Sequence, residues 1–392
     1  MSHTIQLFNH IDPQGLSILK NAGHTLSTDA NNPDAILCRS HHCHDLDINP
    51  GLLAIARAGA GVNNIPCSDL LNNGVVVFNT PGANANAVKE LVIGALFVGA
   101  RNLITAHQAS SELTGDQESM SKTVESIKKQ FTGFELRGRT LGVIGLGHIG
   151  VLVANAALAL GCHVIGYDPM INTHNAWQLS AQVKRANDLD TLFKETDFIT
   201  AHVPLIDATK HLINKERLAL MKPGSMVANF SRAGIVDAQA MHEALSNKHI
   251  HRYLCDFPDP CLQDVPEAIC FPHLGASTLE ATSNCATMAA QQLNDFLSLG
   301  HLTHCVHFPD TSLAPSGKTR ITVINRNVPN MVAQMSSVLS SSHVNINTFI
   351  NQSQGEYAYN ILDVDCELAE NTIKDLESID GVLRVRVIPL SA

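Results

Sequence analysis

Runs of four or five mostly apolar residues recur along the first two thirds of the chain. They lie at 35–38, 53–56 and 75–78, and again at 141–144, 163–167, 198–201 and 225–229. Runs this short, bounded by turn residues such as Asn79-Thr80-Pro81-Gly82, predict buried strands. Longer apolar segments lie between them. Residues 88–101 predict a buried helix, 149–160 an Ala-rich helix and 278–297 a second long helix, while 110–130 is polar and predicts surface helix and loop. Strand and helix alternate with short links, which predicts parallel sheet covered by helices on both faces.

The pattern changes near residue 310. Asp310-Thr311-Ser312-Leu313-Ala314-Pro315-Ser316-Gly317 has the composition of a linker. Beyond it the pattern predicts strand (320–325), helix (331–341), strand (344–351), a turn at Gln354-Gly355, strand (357–363), helix (368–377) and strand (382–387). That order is βαββαβ, the split βαβ arrangement.

The chain has 392 residues, 45% hydrophobic and 16% charged. This suits two or three domains of roughly 100–200 residues each and argues against wholesale disorder. There are 26 basic and 36 acidic residues, a formal net charge of −10, and no long basic run. Nucleic-acid binding is therefore disfavoured. A small anion held by one or two arginines stays compatible with that balance. The stretch from Met1 to His10 is polar and lacks the apolar core of a secretory signal. The longest apolar stretch, 91–100, is about half of the roughly 20 residues a membrane span needs. Ten scattered cysteines read as reduced thiols, which predicts a cytoplasmic protein.

The strongest chemical signal is Gly145-Leu146-Gly147-His148-Ile149-Gly150, placed between a predicted strand and a predicted helix. Gly145 permits a tight turn, Gly147 lets the backbone approach a pyrophosphate, and Gly150 lets helix and strand pack closely. The helix N-terminus offers free N–H groups to phosphates. Asp168 follows about 20 residues on, at the end of the next strand, where a carboxylate accepts ribose hydroxyls. It would repel a 2′-phosphate, which favours NAD over NADP.

Arg232 follows the predicted strand 225–229, and a guanidinium there can bind a carboxylate bidentately; by itself it also fits a surface loop. His273, one of 20 histidines, titrates near neutrality and can exchange the proton that a hydride transfer requires. Asp256 and Asp259 could tune an imidazole or serve as turn residues.

Several motifs together resemble the D-isomer-specific 2-hydroxyacid dehydrogenase family. They are Thr140 to Gly150, Tyr167-Asp168-Pro169, His202-Val203-Pro204-Leu205, Met221-Lys222-Pro223-Gly224, Ser231 to Asp237 and Pro272 to Thr278. Arg39-Ser40, Arg57-Ala58-Gly59-Ala60-Gly61-Val62-Asn63-Asn64-Ile65 and Asn79 to Gly82 extend the likeness to a phosphorylated-substrate branch. The C-terminal unit resembles an ACT regulatory domain.

The resemblance implies an α/β protein with two Rossmann-like lobes plus that ACT domain. The substrate lobe would be 1–100 with 278–310, the NAD lobe 101–277 and the ACT domain 318–392. It implies NAD-dependent oxidation of 3-phosphoglycerate to 3-phosphohydroxypyruvate, opening serine biosynthesis. Arg232 would hold the substrate carboxylate and 2-oxygen, and His273 would be the acid–base. Beside Gly145, Gly147, Gly150 and Asp168, the cofactor set would take in His148, Ile149 and His202-Val203-Pro204, with Ser231, Asp256, Gly275 and Ala276. Arg39, Ser40 and Arg57 would bind the phosphate side, lined by Gly59, Ala60, Gly61 and Asn63. The family's glutamate partner of the histidine is replaced on a shortened loop, with Asp259 the nearest substitute. Serine would bind between paired ACT domains through Asn325, Asn327 and Asn345, and Asn330 would occupy a position that usually needs glycine. The family implies a homodimer, or a tetramer through ACT pairing.

His41-His42-Cys43-His44 lacks a second ligand pair at recognised spacing, so no metal is expected there. Trp177 is expected to pack rather than stack on adenine. Two rivals stand beside the main reading: another D-2-hydroxyacid dehydrogenase, and an NADH-sensing protein without catalysis.

Overall fold

A computed structural model describes residues 2–390. Met1, the start of the polar N-terminal stretch, and Ser391 and Ala392, the end of the expected ACT domain, lie outside the described residues. Two compact units emerge: residues 85–278 form one, and the residues up to Asn84 together with those from Leu279 onward form the other.

In the 85–278 unit, seven parallel strands make one sheet: β6 (Thr140–Ile144), β7 (His163–Tyr167), β8 (Lys184–Arg185), β9 (Phe198–Ala201), β10 (Ser225–Asn229), β11 (Ile250–Cys255) and β12 (Ala268–Cys270). Their order is β12-β11-β10-β9-β6-β7-β8. Chain order reverses between β6 and β9, the topological switch point of a dinucleotide-binding sheet. Both faces are covered. Leu141, Val143, Phe198 and Ala228 pack into one core, and Ile144, Ile199 and Val227 into the other. Burial on both faces is why β6, β9 and β10 read as continuous apolar runs instead of alternating ones.

The other unit holds a parallel five-stranded sheet: β1 (Thr4–Leu7), β2 (Thr25–Ser27), β3 (Ala35–Cys38), β4 (Ala54–Arg57) and β5 (Val76–Phe78), ordered β2-β1-β3-β4-β5. This is the other common doubly wound order, with its switch point between β1 and β3. The helix Pro13–Asn21 lies against the long helix Leu279–Leu299. Gly15 makes that approach possible, because a Cβ there would stand 2.6 Å from the Ala286 carbonyl oxygen.

The same unit carries the predicted βαββαβ element as an antiparallel sheet of β13 (Thr319–Arg326), β14 (Ile346–Gln354), β15 (Tyr357–Val364) and β16 (Val382–Pro389), ordered β14-β15-β13-β16. One face packs on its two helices through Ile321, Val323, Leu362, Met335 and Leu376. The opposite face contributes Ile324, Tyr359 and Ile361 to the core of the five-stranded sheet, beside Phe296. The 310–318 stretch is an ordered strap. Thr311 exchanges backbone hydrogen bonds with Leu302 at 2.8 and 2.9 Å. The Leu313 carbonyl accepts from Arg320 at 2.8 Å, and Ser316 N donates to Asp363 at 2.9 Å. Composition marked this stretch as a linker, but its hydrogen-bond partners in both flanking elements hold it in place.

Candidate active site

In the 85–278 unit the predicted residues emerge from the carboxyl ends of successive strands: Gly145 after β6, Asp168 after β7, His202 after β9, Arg232 after β10, Asp256 after β11 and His273 after β12. Ligands of doubly wound sheets bind at this edge.

The glycine loop has the geometry its sequence implies. Gly145 has φ +87°, and a Cβ on it would stand 2.6 Å from the His202 carbonyl oxygen. A Cβ on Gly150 would lie within 1.9 Å of the Gly145 carbonyl oxygen. Gly147, which caps the helix His148–Ala159, faces open space. That opening at a helix N-terminus fits a pyrophosphate. Asp168 accepts hydrogen bonds from Leu146 N and Met170 N, each at 2.8 Å. Its carboxylate is thereby fixed beside the loop, where a ribose can reach it.

His202 donates its backbone N–H to the Ile144 carbonyl at 2.7 Å and places Nε2 3.0 Å from Thr200 Oγ1. Its buried Nδ1 has no partner. Burial pushes the imidazole pKa down to about 3, so the ring is neutral and keeps an unused polar atom. Val203 and Pro204 continue from it on the same loop. Trp177, expected to pack, is instead 85% exposed, and Met170 after β7 is 87% exposed. The ribose strand β7 ends before them, and the helix Thr173–Gln178 turns the indole outward.

Arg232 is exposed, and its Nη1 donates to the Ser231 carbonyl at 2.6 Å. The turn that carries it is shaped by Asn229. This fully buried side chain donates to the Arg232 carbonyl at 2.8 Å and accepts from Ser231 N at 3.2 Å and Ser231 Oγ at 2.9 Å.

His273 is also exposed and sits at φ +56°, a conformation uncommon for a non-glycine residue. Asp256 holds its loop. The buried carboxylate accepts from Leu274 N and Gly275 N at 2.7 Å each, while the Asp256 carbonyl accepts from His273 N at 3.1 Å. A Cβ on Gly275 would stand 3.1 Å from that carboxylate, and Ala276 follows as the loop turns. Phe257 lies against the His273 ring at 4.9 Å between centroids. Asp259 accepts from Cys261 N at 2.9 Å, capping a short 3-10 turn. Among the described residues it makes no ion pair with His273.

The other unit arranges Arg39 and Arg57 at the carboxyl ends of β3 and β4. Arg57 Nε donates to the Arg39 carbonyl at 2.9 Å, and its Nη1 donates to the Gly61 carbonyl. Gly59 leaves room for this guanidinium, since a Cβ there would stand 2.6 Å from Nη1. Asn9 Oδ1 accepts from Ser40 N at 3.0 Å and His41 N at 2.7 Å, fixing the turn after Arg39. Ala60 accepts from Asn79 Nδ2 at 2.6 Å, and Asn63 accepts from His44 Nε2 at 3.3 Å. Asn84 carries a buried Oδ1 without a partner. Asn9, two residues past β1, Asn229, the last residue of β10, and Asn84, directly before the helix Ala85–Ala100, carry no sequence signal beyond an asparagine near the end of an element. Among the described residues, no group of three or more His, Cys, Asp or Glu side chains could hold a metal ion.

In the βαββαβ element, Asn325 is buried within a row of amides. Asn351 donates to Asn360, and Asn360 to Asn325, each at 2.6 Å, and Asn325 donates to the Arg326 carbonyl at 2.6 Å. Asn327 donates to the Gly355 carbonyl at 3.1 Å. Asn345 precedes β14, whose first residue Ile346 pairs with Val364 opposite Thr319. Six strand positions separate that row from Asn325, roughly 20 Å. The three asparagines therefore do not converge within one chain. Asn330 has φ +74°, the conformation expected where glycine is usual.

Residues 95–275 match the model of the D-isomer specific 2-hydroxyacid dehydrogenase NAD-binding domain. D-3-phosphoglycerate dehydrogenase of Escherichia coli strain K12 is 30% identical over 367 residues, which cover 89% of this chain and 85% of that protein. The enzyme of the same name from Methanocaldococcus jannaschii is 37% identical over 275 residues, covering 69% of this chain; the chain spans about half, 50%, of that relative's length. An NAD+-bound 3-phosphoglycerate dehydrogenase structure from Entamoeba histolytica superimposes with a TM-score of 0.61 at 25% identity, covering 78% of this chain and 99% of that one. With an NAD-binding loop, strand-end arginine and histidine, and this similarity along most of its length, the chain belongs to the D-isomer-specific 2-hydroxyacid dehydrogenase family.

Proposed function

We propose that this protein oxidises 3-phospho-D-glycerate to 3-phosphohydroxypyruvate with NAD, the first step of serine biosynthesis. The observation that carries this reading is the exposure of Arg232 and His273 at the carboxyl edge of the sheet that bears the glycine loop. Arg232 binds the substrate carboxylate and orients the 2-oxygen. His273 takes the 2-hydroxyl proton through its imidazole and returns it in the reverse direction. NAD, when bound, supplies the acceptor for the hydride leaving C2. Asp168 excludes a 2′-phosphate by charge. Asp256 keeps the His273 loop in place through two backbone N–H groups. Asp259 serves as the carboxylate for His273 in the substrate complex, where catalytic hydrogen bonds tighten.

Arg39 and Arg57 bind the substrate phosphate. Replacing either with Met should raise KM for the phosphorylated substrate by roughly tenfold or more, the loss of a charge-assisted contact. An unchanged KM in both variants would redirect the assignment to an unphosphorylated 2-hydroxy acid.

The same reading makes 1–100 with 278–310 the substrate lobe, 101–277 the NAD lobe and 318–392 an ACT domain that senses serine. Because Asn345 stands far from Asn325 and Asn327, the effector site requires a second copy of the chain. Dimer formation is supported by the helices Leu103–Ser111 and Gln117–Ile127, which bury no residue yet expose Leu103, Ile104 and Val124. A cytoplasmic setting is supported by the free cysteines; among the described residues no helix is long and apolar enough to cross a membrane.

A further inference from the structure

Cys255 ends β11 and Cys270 ends β12, and the two are register partners on adjacent parallel strands. Their sulfurs are 3.2 Å apart, with Cys255 Sγ donating to Cys270 Sγ. Neighbouring strands run about 4.8 Å apart, inside the Cα separation of roughly 4.4–6.8 Å that a disulfide spans. The pair is placed directly behind the His273 loop. Asp256, which follows Cys255, anchors Leu274 and Gly275. Phe271, which follows Cys270, donates its N–H to the Cys255 carbonyl at 2.8 Å.

We propose that Cys255 and Cys270 are an oxidisable dithiol that a hydroperoxide converts to an intramolecular disulfide, and that this linkage displaces the His273 loop. Cys270 reacts first, being half-buried where Cys255 is buried. The hydrogen bond it accepts from Cys255 holds its thiol pKa below the ordinary value. Its thiolate attacks the peroxide, forming S–O as O–O breaks and alcohol leaves. Cys255 sulfur then attacks that sulfenic acid, forming S–S as S–O breaks and water leaves with the Cys255 proton. Two thiols and one hydroperoxide give one disulfide, one alcohol and one water.

Closing the bond brings the sulfurs from 3.2 Å to about 2.05 Å. The three-residue edge strand β12 yields more readily than β11, which is paired on both sides. His273 lies three residues beyond Cys270, and misplacement of a reacting group by about 1 Å can cost 10²-fold.

The full chain is treated with cumene hydroperoxide and cleaved after Glu, Lys and Arg without reduction. Mass mapping should then show the peptide 253–267 linked to 268–280, with the link reversed by dithiothreitol. It should persist in Cys261→Ser and vanish in Cys255→Ser and in Cys270→Ser. Unlinked peptides, or a link that needs Cys261, overturn the proposal. This mapping does not depend on the assigned activity. The second readout rests on that activity: the oxidised enzyme should turn over at least tenfold more slowly, recover with dithiothreitol, and be insensitive in Cys270→Ser. A link that leaves turnover unchanged overturns the coupling to His273.

Discussion

Both carboxylate oxygens of Asp256 are committed to backbone N–H groups of the loop that bears His273. At the residue scale this separates two tasks that sequence alone leaves merged: one aspartate holds the loop, and the imidazole stays free to exchange protons. His273→Asn should lower kcat by about 10²–10⁴-fold while NADH still binds. Energy transfer from Trp177, the only tryptophan, to NADH measures that binding; near-normal turnover would remove His273 from its role. Two other histidines set a pH response. Burial lowers His202 to about 3 and His307 to about 4, from an ordinary 6.5. Between those values and 6.5 the unfolded chain binds more protons than the folded one, so stability rises with pH through that window and is lost as pH falls. Urea unfolding at pH 5 and 7 should show this, with a shallower difference in His307→Gln. Gly145, Gly150 and Asp168 were legible because their roles are local and fixed by spacing. Asn9 and Asn229 were not, because their partners, mostly backbone groups, are brought close only by the turn. Trp177 misled for a related reason: apolar character predicts packing, but the end of β7 leaves no core beside it.

At the element scale, continuous apolar runs identified β3, β6, β9 and β10, whose two faces are both buried. β11 escaped because His251 and Arg252 interrupt its pattern, and β12 because three residues carry no periodicity. The βαββαβ order was legible throughout, but the use of its second face was not. On that face Arg320, fully buried, pairs with Asp363 at 2.7 and 2.8 Å and donates to the carbonyls of Leu299 and Leu313, both at 2.8 Å. It thus satisfies the end of the helix Leu279–Leu299 and the strap at once. Arg386 adds bonds to the Phe296 and Leu297 carbonyls at 3.2 and 3.1 Å. Arg320→Met should destabilise the protein by about 3–5 kcal/mol, because it leaves Asp363 buried without its cation. Arg320→Met with Asp363→Leu should regain part of that loss in equilibrium unfolding. A single variant as stable as the parent would mean the pair does not join sheet and strap.

At the scale of the whole molecule, an acidic chain presents its key arginines at strand ends of two doubly wound sheets, Arg39 and Arg57 on one and Arg232 on the other. The fold class was readable because each sheet alternates with its helices in sequence. The separation of Asn345 from Asn325 was not, since the register of β13 to β15 sets it and no sequence spacing reveals that distance. The decisive measurement is the rate of NADH formation from 3-phosphoglycerate and NAD at alkaline pH, with and without millimolar L-serine. Turnover that serine suppresses is the expected result. Turnover that serine ignores would contradict the effector site and leave the enzyme. No turnover, together with no reduction of phosphohydroxypyruvate by NADH, would contradict the central claim.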